Sequence, residues 1–422
     1  MADGATKISG GRWIQLALGV IAMMAISSPQ YAWPLLQGPL QNSIGVELTT
    51  VQWTFSILIV LQTGLSPVQG FLIERFGLRR LVILGCALSG LSWIAAAFAQ
   101  DALTLYLTYG ALGGIGTGIV YVGVVGLMAR WFPDLRGFAC GMAAAGYGFG
   151  AITTTFPIDI MVKAIGYQRT LIELGLILGV IGIAASLGLK EPATSRREDL
   201  GTGVSPGTML RSPVFWLLFV MMTMMSTGGL MVLSQFGAFA KEFGITNAII
   251  FGVAAFPLAL TIDRATNGAT RAVFGWISDR IGRENTMAIA FIGEGAAVAL
   301  MLSMRDNPTA FVLMSGVVFF GWGEIFSLFP STLTDSFGPR HATTNYGFLY
   351  VAQGVGSVLG GPVAAEIHKA EGSWLPVFAL VIAMDVLTGL LAILALKPLR
   401  RRHASIGSQI STGPVSGLKV SP

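Results

Sequence analysis

Charge is what this sequence has least of. Asp, Glu, Lys and Arg make up 11% of its 422 residues, against about 25% in ordinary soluble chains. Such a chain, with 53% hydrophobic residues, is neither disordered nor an ordinary soluble enzyme. Cysteine is nearly absent, and Cys86 and Cys140 are too few for a secreted disulfide scaffold. Histidine is as scarce. His341, His368 and His403 fall in loops, at the ends of apolar runs or in a tail, and neither H-E-x-x-H nor G-x-S-x-G occurs. Zinc hydrolysis and nucleophile-elbow chemistry therefore lack their residues. No Walker motif is present, so nothing points to ATP, a cofactor or a metal, and the chain is expected not to be an enzyme.

What is abundant is glycine. Its 55 residues are nearly twice the usual ~7%, which in a membrane chain lets helices approach closely. Apolar runs are the other excess, with a mean hydropathy of +0.71. A membrane-crossing helix needs ~20 apolar residues. Twelve runs qualify: 13–36, 50–73, 81–99, 102–129, 138–160, 170–189, 214–236, 248–277, 286–304, 309–333, 346–367 and 375–396. They are numbered here as spans one to twelve. The first continues past Ser27 and Ser28 to Leu36, longer than the roughly 7–15 residues of a signal-peptide core, and reads as an uncleaved span. The predicted fold is an all-α membrane protein.

Lysine and arginine set its orientation. With both termini inside, nineteen of the 26 fall in cytoplasmic segments and five outside; Arg264 and Arg271 lie within span eight. This bias accounts for the net charge of +5 without a nucleic-acid partner. The longest internal polar stretch follows six spans and is rich in Pro, Gly, Ser and mixed charge. The expected organisation is a cytoplasmic tail (1–12), a six-helix bundle (13–189), a linker (190–213), a second six-helix bundle (214–396) and a cytoplasmic tail (397–422).

The halves repeat one another. Gly70-x-x-x-Glu74-Arg75-x-Gly77, followed by Arg79-Arg80, lies between spans two and three. Gly275-x-x-x-Asp279-Arg280-x-Gly282, followed by Arg283, lies between spans eight and nine, 205 residues on. The same offset superposes the segment 131–136 on 336–341. Two matches at one offset indicate duplication. In each loop the glycines permit close approach, and the acid is placed to meet a helix N-terminus and nearby arginines.

Ionisable residues inside a membrane default to function. Span eight carries Asp263, Arg264 and Arg271 after Pro257, which is expected to kink it. Positions 264 and 271 differ by about −20° and ~10.5 Å on a helix, with Asn267 between them on the same face. Arg271 either binds a carboxylate with its donor fork or snorkels toward the cytoplasm. Arg264 is either neutralised by Asp263 or offers a second cation. Glu324, among aromatic residues in span ten, is a partner for either arginine or a proton carrier, and Asp263 is the other candidate for coupling.

The 6+6 layout with this loop motif resembles the major facilitator superfamily, over essentially 13–396. Glu74 stands where the superfamily usually has aspartate. The resemblance implies two bundles rocking about a central site, usually in a monomer, with spans nine and twelve peripheral, so Glu294 and Asp385 are expected to be structural. A narrower likeness is to the oxalate:formate antiporter branch. It rests on Gln30-Tyr31-x-Trp33, Gly118-Ile119-Val120-Tyr121, Arg130-Trp131-Phe132-Pro133-Asp134-x-Arg136-Gly137, Arg271 followed by Phe274-Gly275-x-x-Ser278-Asp279, Trp322-Gly323-x-x-Phe326-x-Leu328-Phe329-Pro330-Ser331 and Asn345-Tyr346-Gly347. That branch implies an arginine and a lysine holding a dianion in an aromatic cage. The arginine matches Arg271. Cage positions match Gln30, Tyr31, Tyr121 and Trp322, with Phe326 and Tyr350 where other aromatics occur. The lysine does not match: Gln353 takes its place. Gln353 donates hydrogen bonds without charge, so either Arg264 supplies the second charge or the substrate is a monoanion.

The expected function is a secondary carrier of small organic anions in a bacterial inner membrane, by exchange or by proton symport. A cationic-drug exporter would show a mid-membrane acid in spans one to five and a Gly-Pro pattern in span five; neither is present. A non-transporting sensor would need a signalling domain or a long tail.

Overall fold

The computed structural model describes residues 2–46, 48–192, 203–245 and 248–402. Among them, nine helices are long and apolar enough to cross a bilayer, and the pair Trp53–Gly64 and Ser66–Phe76 makes a tenth if it is one span. Helices Arg136–Ile165 and Ala255–Ile281 occupy the other two expected positions. The first is diluted by glycine and threonine, the second by Asp263, Arg264 and Arg271. Large apolar side chains such as Ile160, Leu176 and Leu394 are exposed, as contact with lipid requires.

Proline sets several bends. Span one is helical over Ala2–Ala25 and resumes as Ser28–Tyr31 and Trp33–Ile44. Pro29 and Pro34 sit in the first turn of the two later pieces, where a missing N–H breaks no bond. Span two bends by 50° before Ser66-Pro67. Span eight departs from expectation. Instead of starting at 248, it is preceded by a short antiparallel hairpin pairing Ile249 with Ala254 and Ile250 with Val253. Phe251 and Gly252 make its turn at φ 52° and 78°. The helix begins at Ala255 and runs unbroken to Ile281. Pro257 therefore falls in the first turn and produces no kink before the charged stretch.

Glycines bring the helices together. Within the first half, a Cβ at Gly110 would lie 3.0 Å from the Thr54 carbonyl oxygen and one at Gly118 2.6 Å from Gln69 Oε1, so the spaced glycines of span four seat it on span two. Between the halves, span five packs along span eight and span two along span eleven. A Cβ at Gly141 would lie 2.7 Å from the carbonyl carbon of Arg271, and one at Gly70 2.7 Å from Thr344 Cα.

The two duplicated loops each cap a helix of the opposite half. Glu74 accepts the Thr344 N–H at 3.0 Å and faces His341 Nδ1 at 3.2 Å, at the start of helix Ala342–Val358. Asp279 accepts the Gly137 and Phe138 N–H groups at 3.0 and 2.9 Å, at the start of helix Arg136–Ile165. A carboxylate there meets unpaired donors and the positive end of the helix dipole. Arg283 bonds Asp279 at 2.6 Å and Asp335 at 2.9 Å, and Asp335 also pairs with Arg136. Gly77 and Gly282 turn the chain at φ 95° and 90°, a region that excludes most side chains. Arg75 and Arg280 instead point outward, stacked on Phe76 and Trp276, and Arg79 and Arg80 are exposed.

This seal is testable with a native reporter. Cys140 is buried one turn inside the capped end of span five, and Cys86 is buried elsewhere in the first half. Removing a cap costs about 1 kcal/mol or somewhat more, so Asp279→Ala is expected to speed maleimide labelling of Cys140 by about tenfold. Labelling of Cys86 should stay at the wild-type rate. An unchanged Cys140 rate would show that the cap does not hold the halves together.

Candidate anion site

Arg271 is held by its neighbours' backbone as much as by side chains. Gly141 lets span five approach the Arg271 backbone, and this brings the Ala144 carbonyl to 2.7 Å from Arg271 Nη1. One helical turn away on span eight, Asn267 Oδ1 accepts from Nη2 at 2.8 Å. The guanidinium carbon sits 4.3 Å above the ring of Phe326, a favourable cation–π position. Its Nε has no hydrogen-bond partner. The residue is 1% exposed, and among the described residues no carboxylate pairs with it. Nothing in this arrangement corresponds to snorkelling.

Around it stands an aromatic wall. Tyr121 stacks on Tyr350 with centroids 4.9 Å apart and planes at 5°. Tyr147 meets Tyr121 and Tyr31 edge-on at 5.4 and 5.5 Å. The Tyr147 hydroxyl donates to Gln30 Oε1 at 2.7 Å and accepts from Gln62 Nε2 at 3.3 Å. Trp322 donates its indole N–H to the Met225 carbonyl at 3.0 Å and stands edge-on to Phe326 at 5.7 Å. These groups line one small cavity, and Arg271 and Gln353 are both on its wall. Gln353 is buried, and its Oε1 has no partner.

The other charged candidates lie elsewhere. Arg264 lines an outer cavity with Asp263 and Asn267, which adjoins the space that Arg271 lines and shares Tyr31, Leu233 and Trp322 with it. Asp263 accepts from the Ser315 hydroxyl at 3.1 Å, across to span ten. Glu324 lines neither cavity and is not among the partners of Arg271; it is turned into the second half. Three participants were not singled out from sequence. Tyr147 and Gln62 are uncharged residues in largely apolar spans, and only packing reveals that they face inward. Asp335, which ties Arg136 to Arg283, carried a signal: it is an acid at the arginine-rich end, at the position equivalent to Arg130 in the repeat.

The family model described as Major Facilitator Superfamily matches residues 16–264 and 258–419. The chain belongs to the major facilitator superfamily. It is a multi-pass membrane transporter with the all-α fold of that superfamily, consistent with the expected layout. It is 32% identical to a protein named oxalate:formate antiporter from Oxalobacter formigenes, over 87% of each chain. It is 25% identical to human monocarboxylate transporter 11, over 78% of this chain and 71% of that one. Its fold superposes on the proton:xylose symporter XylE with a TM-score of 0.75 at 12% identity, covering 92% of this chain and 96% of that one. The human organic anion transporter MFSD10 superposes with a TM-score of 0.69 at 14% identity, covering 90% and 99%. In this superfamily member, then, the cavity around Arg271 lies between two halves that are sealed at the arginine-rich end.

Proposed function

We propose that this transporter carries small organic anions, mono- or dicarboxylates of the oxalate and formate type, by anion exchange in an alternating-access cycle. The observation that carries the reading is Arg271: a buried guanidinium in an aromatic cavity, satisfied in part by two neutral oxygens and matched by no carboxylate among the described residues. A buried cation without a counter-charge costs several kcal/mol, and an entering anion removes that cost. The empty cavity is then the unfavourable state, so the halves close more readily around a loaded site than around an empty one. That asymmetry makes transport an exchange. The relative named as an oxalate:formate antiporter supports the substrate class, and the lysine and arginine bias supports a sealed end that faces the cytoplasm.

The position of Gln353 favours anions of single charge. Two carboxylates in one desolvated cavity call for two cations, and Arg264 opens onto the other cavity. Gln353 hydrogen-bonds the second oxygen of a hydroxy or keto acid without adding charge. The relative named as a monocarboxylate transporter is consistent with this.

Purified protein in liposomes loaded with unlabelled carboxylate is expected, at equal pH inside and out, to take up labelled formate, lactate or oxalate, and without a pH gradient to do so only when an internal anion is present. Uptake that is equally fast into empty liposomes would remove the exchange mode. Absence of flux for every carboxylate would remove the anion reading itself.

A further inference from the structure

The second half holds three buried carboxyl groups that the anion cavity does not use. Glu294 lies on span nine, Glu324 at the break between helices Pro308–Trp322 and Ile325–Phe337, and Asp385 on span twelve. They are 2%, 0% and 0% exposed. Small residues let them gather. A Cβ at Gly321 would lie 2.9 Å from Glu294 Cβ, and Gly321 is three residues from Glu324. A Cβ at Gly295 would lie 3.3 Å from Asp385 Cβ, and one at Gly228, on span seven, 3.3 Å from Asp385 Oδ1. Glu294 feels the charge of both other acids, and Glu324 that of Asp385.

Their surroundings offer no structural reason for their presence. Among the described residues, both oxygens of Asp385 and Oε2 of Glu294 have no hydrogen-bond partner, and those of Glu324 have none beyond the Glu324 backbone itself. No cation among the described residues faces them. Arg271 on span eight is turned to Ala144 and Asn267, Arg264 lines the outer cavity, and Asp263 bonds Ser315. The charged residues of the neighbouring spans are at helix ends. Arg283 pairs with Asp279 and Asp335, Arg400 with Glu284, and Glu242 with His368. Lys397 bonds Asn285, and Lys241 is exposed at the end of span seven. Three neighbouring carboxylates cannot all stay ionised in such a place. Uncharged residues of the same shape would pack there at lower cost. What the three offer is a reversible place for a proton. Glu324 also sits between Trp322 and Phe326, both of which line the anion cavity, so a shift of either ring on anion binding reaches Glu324 through two peptide units.

We propose that Glu294, Glu324 and Asp385 form a proton-binding site, separate from the anion site, that gives this transporter a proton-coupled mode beside exchange. A proton enters one carboxylate from one side of the membrane and leaves to the other side in the same cycle that carries a monoanion, so the pair moves without net charge. The inference rests on the anion reading above, and its test separates the two.

The test compares wild type with the near-isosteric variant Glu294→Gln, Glu324→Gln, Asp385→Asn in liposomes, using lactate and formate. Anion-for-anion exchange at equal pH reads the anion site. Net accumulation under an inward proton gradient, with an entrapped pH dye, reads the proton site. Wild type should accumulate about tenfold more monoanion for a gradient of about one pH unit at one proton per anion. The triple variant should exchange at the wild-type rate and show no response to the gradient. Asp385→Asn alone, remote from the cavity, is the second variant: it should keep exchange and shift the pH at which gradient-driven uptake is half-maximal. Without any substrate, the infrared C=O band of protonated carboxyls should be present in wild type and lost in the triple variant. Gradient-driven accumulation that survives the triple substitution would overturn the proposal. So would a wild-type protein that exchanges anions but ignores the gradient, or a band that the variant keeps. A wild type that exchanges no carboxylate removes the anion reading and this proposal with it, and is recognised because exchange is then the readout that fails.

Discussion

Arg271→Ala is expected to reduce carboxylate exchange by roughly two to three orders of magnitude. Truncating one member of a buried charge pair costs about 3–5 kcal/mol, because the other charge is left desolvated and unmatched. Here the stranded charge would be the substrate's own carboxylate, facing Phe326, Tyr121 and Tyr350 with no cation. Arg271→Lys should restore only part of the loss. An ammonium keeps the charge but not the planar fork, which in this protein already spends one arm on Ala144 and one on Asn267. The measurement is initial-rate exchange in proteoliposomes, with the slow labelling of Cys140 as the check that the variant is folded and sealed. A variant that remains sealed and exchanges at the wild-type rate would show that the guanidinium is structural.

Gln353→Lys should change which anion is preferred. It places a second cation on the wall of the cavity that Arg271 lines. At an effective dielectric of about 20, two unit charges ~4 Å apart interact by about 4 kcal/mol, and desolvation of the ammonium takes back a large part. A remainder near 1.4 kcal/mol is a tenfold effect. Competition of unlabelled oxalate against labelled formate should therefore strengthen by about tenfold or more in the variant. Two buried cations repel when the cavity is empty, so exchange should become more strictly dependent on a loaded site. Equal competition in wild type and variant would mean that the charge at this position does not select between mono- and dianions.

How far each of these residues was legible depended on the kind of signal it gave. Arg271 stood out because a charge in the middle of an apolar run is expensive wherever it ends up. Gln30, Tyr31, Tyr121, Trp322, Phe326 and Tyr350 became candidates through family likeness, since an aromatic residue in a span is ordinarily packing. Tyr147 and Gln62 gave neither signal. Arg264 looked like a companion to Arg271 because both lie on one face of one helix, yet that face spans two cavities. Seven residues of helix carry a side chain ~10.5 Å along the axis, far enough for Arg264 to face the adjoining outer cavity rather than the aromatic wall around Arg271. Glu324 looked like a partner for an arginine, but the break at Gly323-Glu324 turns it toward Glu294 and Asp385 instead.

Sequence alone determined the membrane-spanning class, the duplication and the positions of the buried charges. These follow from quantities that add along a chain: apolar length against bilayer thickness, charge against the cost of burial, and identity at a constant offset. It also offered Glu74 and Asp279 as acids able to meet a helix N-terminus, without saying which helix. Only the tertiary structure decided that each of those acids caps a helix of the other half, that span five reaches Arg271 through the gap left by Gly141, and that three acids from three spans come near one another. Those relations join residues from about 125 to 270 positions apart, or from separate spans of one half. They exist only where two helix surfaces meet, and a pattern along one chain says which surfaces are apolar or small but not which of them come together.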